Sequence, residues 1–216
     1  MSVRLISYSQ PVDDIELKDA QELIAFCARV SNPSNQQNTE TSDKLLKYLI
    51  KHKHWSPFEM VSACLEVTTT RDIARQILRH RSFSFQEFSQ RYANPTEDLN
   101  FVIREARLQD HTNRQNSLEI HNRLLQEQWE MHQQEVIDLA RSKYEWAIKS
   151  GIAKEQARAV LPEGLIESKL NINGTIRSWI HYLEVRTDAS TQKEHRLIAQ
   201  ECARVIAKVF PLINTP

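Results

Sequence analysis

A chain of 216 residues with only three glycines, Gly151, Gly164 and Gly174, is barred from most nucleotide-binding architectures. The dinucleotide fingerprint Gly-x-Gly-x-x-Gly and the phosphate loop Gly-x-x-x-x-Gly-Lys each need glycines clustered within one turn. Neither can be built here. Any nucleotide must be held by side chains and helix ends instead.

The remaining composition narrows the class further. The 28 basic and 28 acidic side chains balance, which argues against a sequence-independent nucleic-acid binder with its usual basic excess. The length predicts one domain over 1–216, large enough to bury a core without staples. Cys27, Cys64 and Cys202 are odd in number, widely spaced and form no Cys-x-x-Cys pair; buried, reduced thiols in a cytoplasmic protein are expected. No apolar run approaches the roughly 20 residues of a membrane span. The opening MSVRLISYSQPVDD lacks a long apolar stretch and a cleavage signal.

Periodicity predicts an α+β chain, mostly helical, with a small central antiparallel or mixed sheet. Strands are expected at 2–8, 59–69 and 163–173, and helices at 17–30, 42–53, 71–80, 153–160, 175–187 and 191–209. Residues 31–43 and 93–112 read as loops. A long helical stripe runs over 113–150, with Leu118, Leu125, Trp129, Val136, Ala140, Tyr144 and Ala147 near one face, and stops at Gly151.

The densest chemistry lies in Arg79-His80-Arg81-Ser82-Phe83-Ser84-Phe85-Gln86-Glu87-Phe88-Ser89-Gln90-Arg91. A basic last helical turn is ordinary, because cations complement the helix dipole. Three arginines threaded with three phenylalanines suit something else: an anion with a flat apolar part, since a guanidinium binds phosphate through its fork and stacks on rings. Ser89 as a nucleophile needs a neighbouring base, and arginine accepts no proton; Ser89 reads as a hydrogen-bond donor to a ligand. A metal at His52, His54 and His80 finds no supporting carboxylate–histidine pair, so none is expected. Arg177 and His181 share a helix face. Arg186 follows at the end of the same helix, and Arg158 sits among small apolar residues where its charge needs an anion.

Together these segments resemble the flavin-dependent thymidylate synthases, the ThyX family. The signature Arg-His-Arg, seven residues, then Ser is met by Arg79-His80-Arg81 and Ser89. Cys27-Ala28-Arg29-Val30-Ser31, the 52–59 run HKHWSPFE, Ala74-Arg75-Gln76, the 156–162 run QARAVLP, Asn173 to Ser178, and Arg186-x-Asp188-x-x-x-Gln192-x-Glu194 match its other blocks in order. Gln86 stands where many members have Asn, and Ser190 where others place His.

The resemblance implies a ThyX-like fold and a homotetramer with shared active sites that methylates dUMP to dTMP. Methylenetetrahydrofolate would supply the carbon and FAD, reduced by NADPH, the hydride, with no covalent cysteine. Carried over by position, Gln76, Arg79, Glu87, Phe88, Ser89, Gln90, Arg91, Arg158 and Arg186 would bind dUMP. Ser31, Ser56, Glu59, Arg79, His80, Arg81, Glu87, Thr175, Ile176, Arg177 and His181 would line the flavin, and His54 would lie near flavin and folate. Arg186 would be catalytic, stabilising the anionic uracil ring. Two other classes remain open from the residues alone: a nucleic-acid module using Arg and Phe for phosphates and bases, and a helical scaffold with a salt-bridged surface.

Overall fold

The computed structural model describes residues 1–214. Its elements are β1 (Ser2–Tyr8), α1 (Ala20–Ala28), α2 (Ser42–Lys51), β2 (Ser62–Thr70), α3 (Arg71–Ile77), β3 (Ser84–Glu87), α4 (Pro95–Asp98), β4 (Arg107–Gln109), β5 (Ser117–Glu119), α5 (Arg123–Lys149), α6 (Lys154–Ala157), β6 (Glu167–Thr175), α7 (Ile176–Arg186) and α8 (Lys193–Ile206). Short 3-10 turns lie between some of them. The fold is α+β with a four-stranded antiparallel sheet in the order β1-β2-β6-β3.

Strands β2 and β6 pair over their full lengths, from Ser62 opposite Thr175 to Thr70 opposite Glu167. Both strands alternate buried and solvent-facing positions, so Ala63, Leu65, Val67, Leu170 and Ile172 point into one core. The apolar faces of α1, α2, α7 and α8 complete that core with Ile24, Leu46, Trp179, Ile198 and Cys202. Each central strand turns directly into a helix through an extended threonine, Thr70 before α3 and Thr175 before α7. Because the strands are antiparallel, those two junctions lie at opposite ends of the pair, and α3 runs back to deliver the Arg79–Arg91 segment beside the start of α7. Trp179 Nε1 donates to the Ala63 carbonyl at 3.0 Å, pinning α7 to the sheet.

Two glycines have structural reasons. Gly151, at φ 80°, ends α5: its N–H bonds the Ile148 carbonyl at 3.0 Å and that of Ile152 bonds Ala147 at 2.9 Å, a pairing that needs a left-handed residue at this position. Gly174 leaves room for Phe83, whose ring would lie 2.2 Å from an added Cβ.

Three expectations shift. The long helix starts at Arg123 rather than near 113, because Asn122 caps it with Oδ1 accepting from Leu125 N, and Ser117–Glu119 instead pairs with Arg107–Gln109 as a hairpin. The 93–112 stretch therefore contains α4 and β4 and is not wholly loop. The expected stripe is buried only at Ala140, Tyr144 and Ala147, joined by Gln133 and Ile137. Leu118, Leu125, Trp129 and Val136 are exposed. Gln133 is buried because it receives an extended segment, accepting from Arg104 N at 2.8 Å and donating to the Arg104 carbonyl at 2.9 Å. No helix among the described residues is long and apolar enough to cross a membrane.

Candidate active site

The signature segment bends around the end of α3. Its first residues turn away from the helix, which ends at Ile77, and residues 84–87 form β3, which pairs with β6 from Ser84 opposite Asn173 to Glu87 opposite Leu170. Phe83 packs 4.6 Å from Trp179 and 5.8 Å from Tyr182, ring centre to ring centre, so the phenylalanine anchors the turn. Arg79 and Arg81 project outward, and neither has a salt bridge or side-chain hydrogen bond among the described residues.

His80 turns inward. Its Nε2 accepts a 2.8 Å hydrogen bond from Nε of Arg186, 106 residues away. Burial, followed by the charges of Arg186, His181 and Arg79, lowers the His80 pKa to about 4. The ring is therefore neutral near pH 7, with its proton on Nδ1 and Nε2 free to accept. Arg186 uses only Nε among its described hydrogen bonds, which leaves its terminal nitrogens as donors.

Beneath this pair runs a buried polar chain. His195 is fully buried, and burial with nearby Arg186 lowers its pKa to about 3. Its neutral Nε2 accepts from the Tyr182 hydroxyl at 3.1 Å, and its Nδ1 donates to Gln76 Oε1 at 3.1 Å. Gln76 Nε2 donates to Gln192 Oε1 at 2.8 Å, and Gln192 Nε2 to Glu194 Oε2 at 3.0 Å. Arg107 Nη2 closes the chain on Glu194 Oε1 at 2.6 Å. Gln76 thus spends its amide on the protein's own groups. Sequence reasoning missed Tyr182 and His195; the one available signal was the spacing of His195 with Ile198, Ala199 and Cys202 on the buried face of α8.

Beyond Arg79, His80, Arg81 and Glu87, the expected flavin residues fall in two places. Glu59, Arg177 and His181 line a cleft of about 420 Å³ with Trp55 and Ser82 beside α7, and Arg177 is ion-paired to Glu59. Thr175 caps that helix by accepting from Ser178 N, Ile176 begins it facing the core, and Ser56 opens the 3-10 turn that carries Glu59. Ser31 lines a separate cleft of about 540 Å³ with Arg29 and Tyr48. His54 meets Tyr48 edge-on at 6.1 Å between ring centres. It follows Lys53, whose φ of 57° is left-handed and strained for a side-chain-bearing residue.

The expected nucleotide residues also divide. Gln90 and Arg158 line a third cleft of about 270 Å³ with Arg71, Arg75 and Glu163. Glu87 faces the same region, accepting from Ser168 Oγ at 2.7 Å and lying 3.4 Å from Arg71. Phe88 N bonds the Lys169 carbonyl at 2.8 Å, Ser89 Oγ accepts from Arg91 N at 3.4 Å, and Arg91 lies 3.5 Å from Glu155. Among the described residues no hydrogen bond or ion pair joins Arg158 to Arg186; each sits in its own group of neighbours. Gln86 lies exposed on the edge strand, and Ser190 Oγ closes a turn on Asp188 at 2.6 Å. Burial raises the pKa of all three thiols, which disfavours a thiolate nucleophile.

Two outward guanidiniums, a half-buried third oriented by a neutral imidazole, and the lack of a glycine-rich loop set this chain apart from the Rossmann and P-loop classes. A family model described as thymidylate synthase complementing protein matches residues 5–212. The chain is 49% identical over 215 residues to the flavin-dependent thymidylate synthase of Synechocystis sp., covering 99% of this chain and 97% of that one. It is 48% identical over 213 residues to a probable flavin-dependent thymidylate synthase of Paramecium bursaria Chlorella virus 1, with coverage of 99% and 97%. A solved UMP/dUMP methylase, PolB from Streptomyces cacaoi, bound with 5-Br dUMP, superposes with a TM-score of 0.82 at 25% identity, covering 98% of this chain and 92% of that one. The chain belongs to the flavin-dependent thymidylate synthase family.

Proposed function

We propose that this chain, as one domain over 1–216, catalyses the reductive methylation of dUMP to dTMP in the cytoplasm. FAD is its cofactor, and NADPH and methylenetetrahydrofolate are its co-substrates. The observation that carries the proposal is the His80–Arg186 hydrogen bond. It holds a guanidinium by one nitrogen and leaves the others for a developing negative charge.

That arrangement suits the chemistry. Uracil C5 attacks a one-carbon unit only when electron density is pushed into the ring, giving an enolate-like anion across N3 and its carbonyl. A guanidinium fixed there stabilises the anion more than the neutral ground state, and preorganised donors of this kind are worth about 3–4 kcal/mol. Neutral His80 fixes Arg186 without adding a competing charge. Arg79, Arg91 and Ser89 fit the phosphate and ribose end, with Gln76, Glu87, Phe88, Gln90 and Arg158 around them.

The residues present also fit a flavin dinucleotide. Arg79 and Arg81 are outward cations without carboxylate partners among the described residues, which suits a pyrophosphate. The cleft by Trp55, Arg177 and His181 offers flat and cationic walls. Ser31, Ser56, Glu59, His80, Glu87, Thr175 and Ile176 complete the proposed flavin set, with His54 near flavin and folate. When bound, the flavin supplies the redox step that side chains cannot.

A homotetramer accounts for two features. Nucleotide and flavin residues fall into separate clefts of one chain, as they would if neighbouring copies completed each site. Helix α5 exposes Leu124, Val136, Leu139 and Trp146, an apolar set that a second copy would cover. The test is direct: the purified protein should show flavin absorption in the blue and near ultraviolet, bleached by NADPH without oxygen, and should release dTMP from dUMP and methylenetetrahydrofolate. Protein that stays colourless with excess FAD would overturn the proposal.

A further inference from the structure

The cleft between α3 and the 158–163 turn holds more positive charge than its own acids answer. Arg71, Arg75 and Arg158 line it with Gln90, and Glu163 is the one carboxylate among the lining residues. Glu163 accepts from Arg75 Nε at 2.7 Å and Nη2 at 2.5 Å, and it lies 3.6 Å from Arg71 Nε. Arg158 donates Nε only to the Glu155 carbonyl, at 3.3 Å.

Two donors here are buried and lack a hydrogen bond, Arg71 Nη1 and Gln90 Nε2. Their residues are 9% and 3% exposed. The acid nearest Arg71 Nη1 is Glu87 Oε1 at 3.4 Å, an oxygen that already accepts from Ser168. Buried donors are nearly always satisfied, so two in one cationic cleft point to an acceptor that arrives from outside. The burial of the partners differs in a telling way: the Arg71 side chain is 11% exposed and that of Glu163 44%. The arginine is fixed, whereas the carboxylate hangs at the mouth and can return to water.

We propose that Glu163 is an internal stand-in for a phosphate monoester, neutralising Arg71 and Arg75 until the phosphate of the nucleotide displaces it onto those two arginines and the Gln90 amide. This rests on the dUMP reading given for Gln90 and Arg158, and it adds Arg71, Arg75 and Glu163 to the site. A phosphate monoester carries nearly two charges and three acceptor oxygens, against one charge and two oxygens for Glu163. It matches three guanidiniums better and reaches donors that Glu163 leaves unbonded. Glu163 then acts as a competitor: it lowers nucleotide affinity and keeps the arginines from being unpaired beforehand.

The experiment measures dUMP turnover and inorganic phosphate binding on the FAD-loaded protein for wild type, Glu163→Gln and Arg71→Met. Glu163→Gln is expected to lower the KM for dUMP several-fold with kcat unchanged, and to tighten inorganic phosphate binding measured by calorimetry. Arg71→Met is expected to raise that KM about tenfold, as loss of a charge-assisted bond does, with kcat again unchanged. Weaker or unchanged phosphate affinity in Glu163→Gln would make Glu163 a structural partner of Arg75 and overturn the proposal, as would an unaltered KM in Arg71→Met. Thermal melts identify a variant that fails to fold, and the other variant then decides. Wild type without dUMP turnover would sink the functional reading instead, while phosphate binding still reports on Glu163.

Discussion

Helix α3 carries two polar neighbourhoods that end in opposite states. Around Gln76, each hydrogen bond leads to another protein group, from Tyr182 through His195 and Gln192 to Glu194 and Arg107. Beside them, Arg71 Nη1 and Gln90 Nε2 are buried without a hydrogen bond, and outward Arg79 has no side-chain hydrogen bond among the described residues. The comparison separates two uses of buried polarity. A closed network rigidifies the scaffold, because every group in it would be costly to leave unpaired. An open one has donors to offer an incoming acceptor.

The largest effect expected from this contrast is at Arg186, which His80 holds by one nitrogen while the others make no described hydrogen bond. Arg186→Ala should cut dTMP formation about 10²- to 10³-fold while the flavin absorption persists; steady-state turnover and a spectrum of the same sample check this together. Next comes Arg79→Ala. If the outward arginines serve ligands, affinity for dUMP and FAD should fall at least tenfold, measured by titration. The unfolding midpoint should stay put, because solvated sites contribute within about 0.5 kcal/mol. A large stability loss there would erase the distinction between the two neighbourhoods.

On the closed side the order reverses. Tyr182→Phe removes the donor to His195 Nε2 and leaves a buried acceptor unpaired, a loss of about 1–3 kcal/mol. At this chain size each kcal/mol lowers Tm by about 2–4 °C, which calorimetry resolves, while the KM for dUMP should move less than about twofold.

The remaining effect expected is with pH, and it is graded rather than set by one substitution. His80 and His195 keep pKa values of about 4 and about 3 in the folded protein. Unfolded histidines titrate near 6.5. Between those values the unfolded chain binds more protons, so stability rises with pH; the contribution is full above about 6.5 and is lost as pH falls towards about 4 for His80 and about 3 for His195. Melting temperatures should therefore decline from pH 7 to pH 5, and His195→Gln should flatten that slope. An unchanged slope in the variant would show that His195 is not the buried neutral base of the network.

Elements with a strong local pattern were legible in the residues. Strand 2–8 was expected where Ser2–Tyr8 forms, and the helices at 42–53, 175–187 and 191–209 are within a few residues of α2, α7 and α8. The start of α5 was not, because a hairpin 107–119 depends on pairing between strands of only three residues each. The residues of the proposed site could also be picked out as candidates. Arg79, His80, Ser89, Arg158 and Arg186 stood out by charge among apolar neighbours and by the spacing of one signature.

What the sequence determined on its own was an α+β chain without a glycine loop, and the family whose signature runs from Arg79 to Ser89. Periodicity and short-range spacing are local properties, and local properties survive reading along a line. Only the tertiary structure decided that His80 orients Arg186 across 106 residues, that Gln76 belongs to a closed chain with His195, and that Glu163 sits against Arg71 and Arg75. Those partnerships arise where β2 and β6 pair antiparallel and send α3 and α7 from opposite ends. A hydrogen bond is decided by distance in space, which the order of residues does not contain.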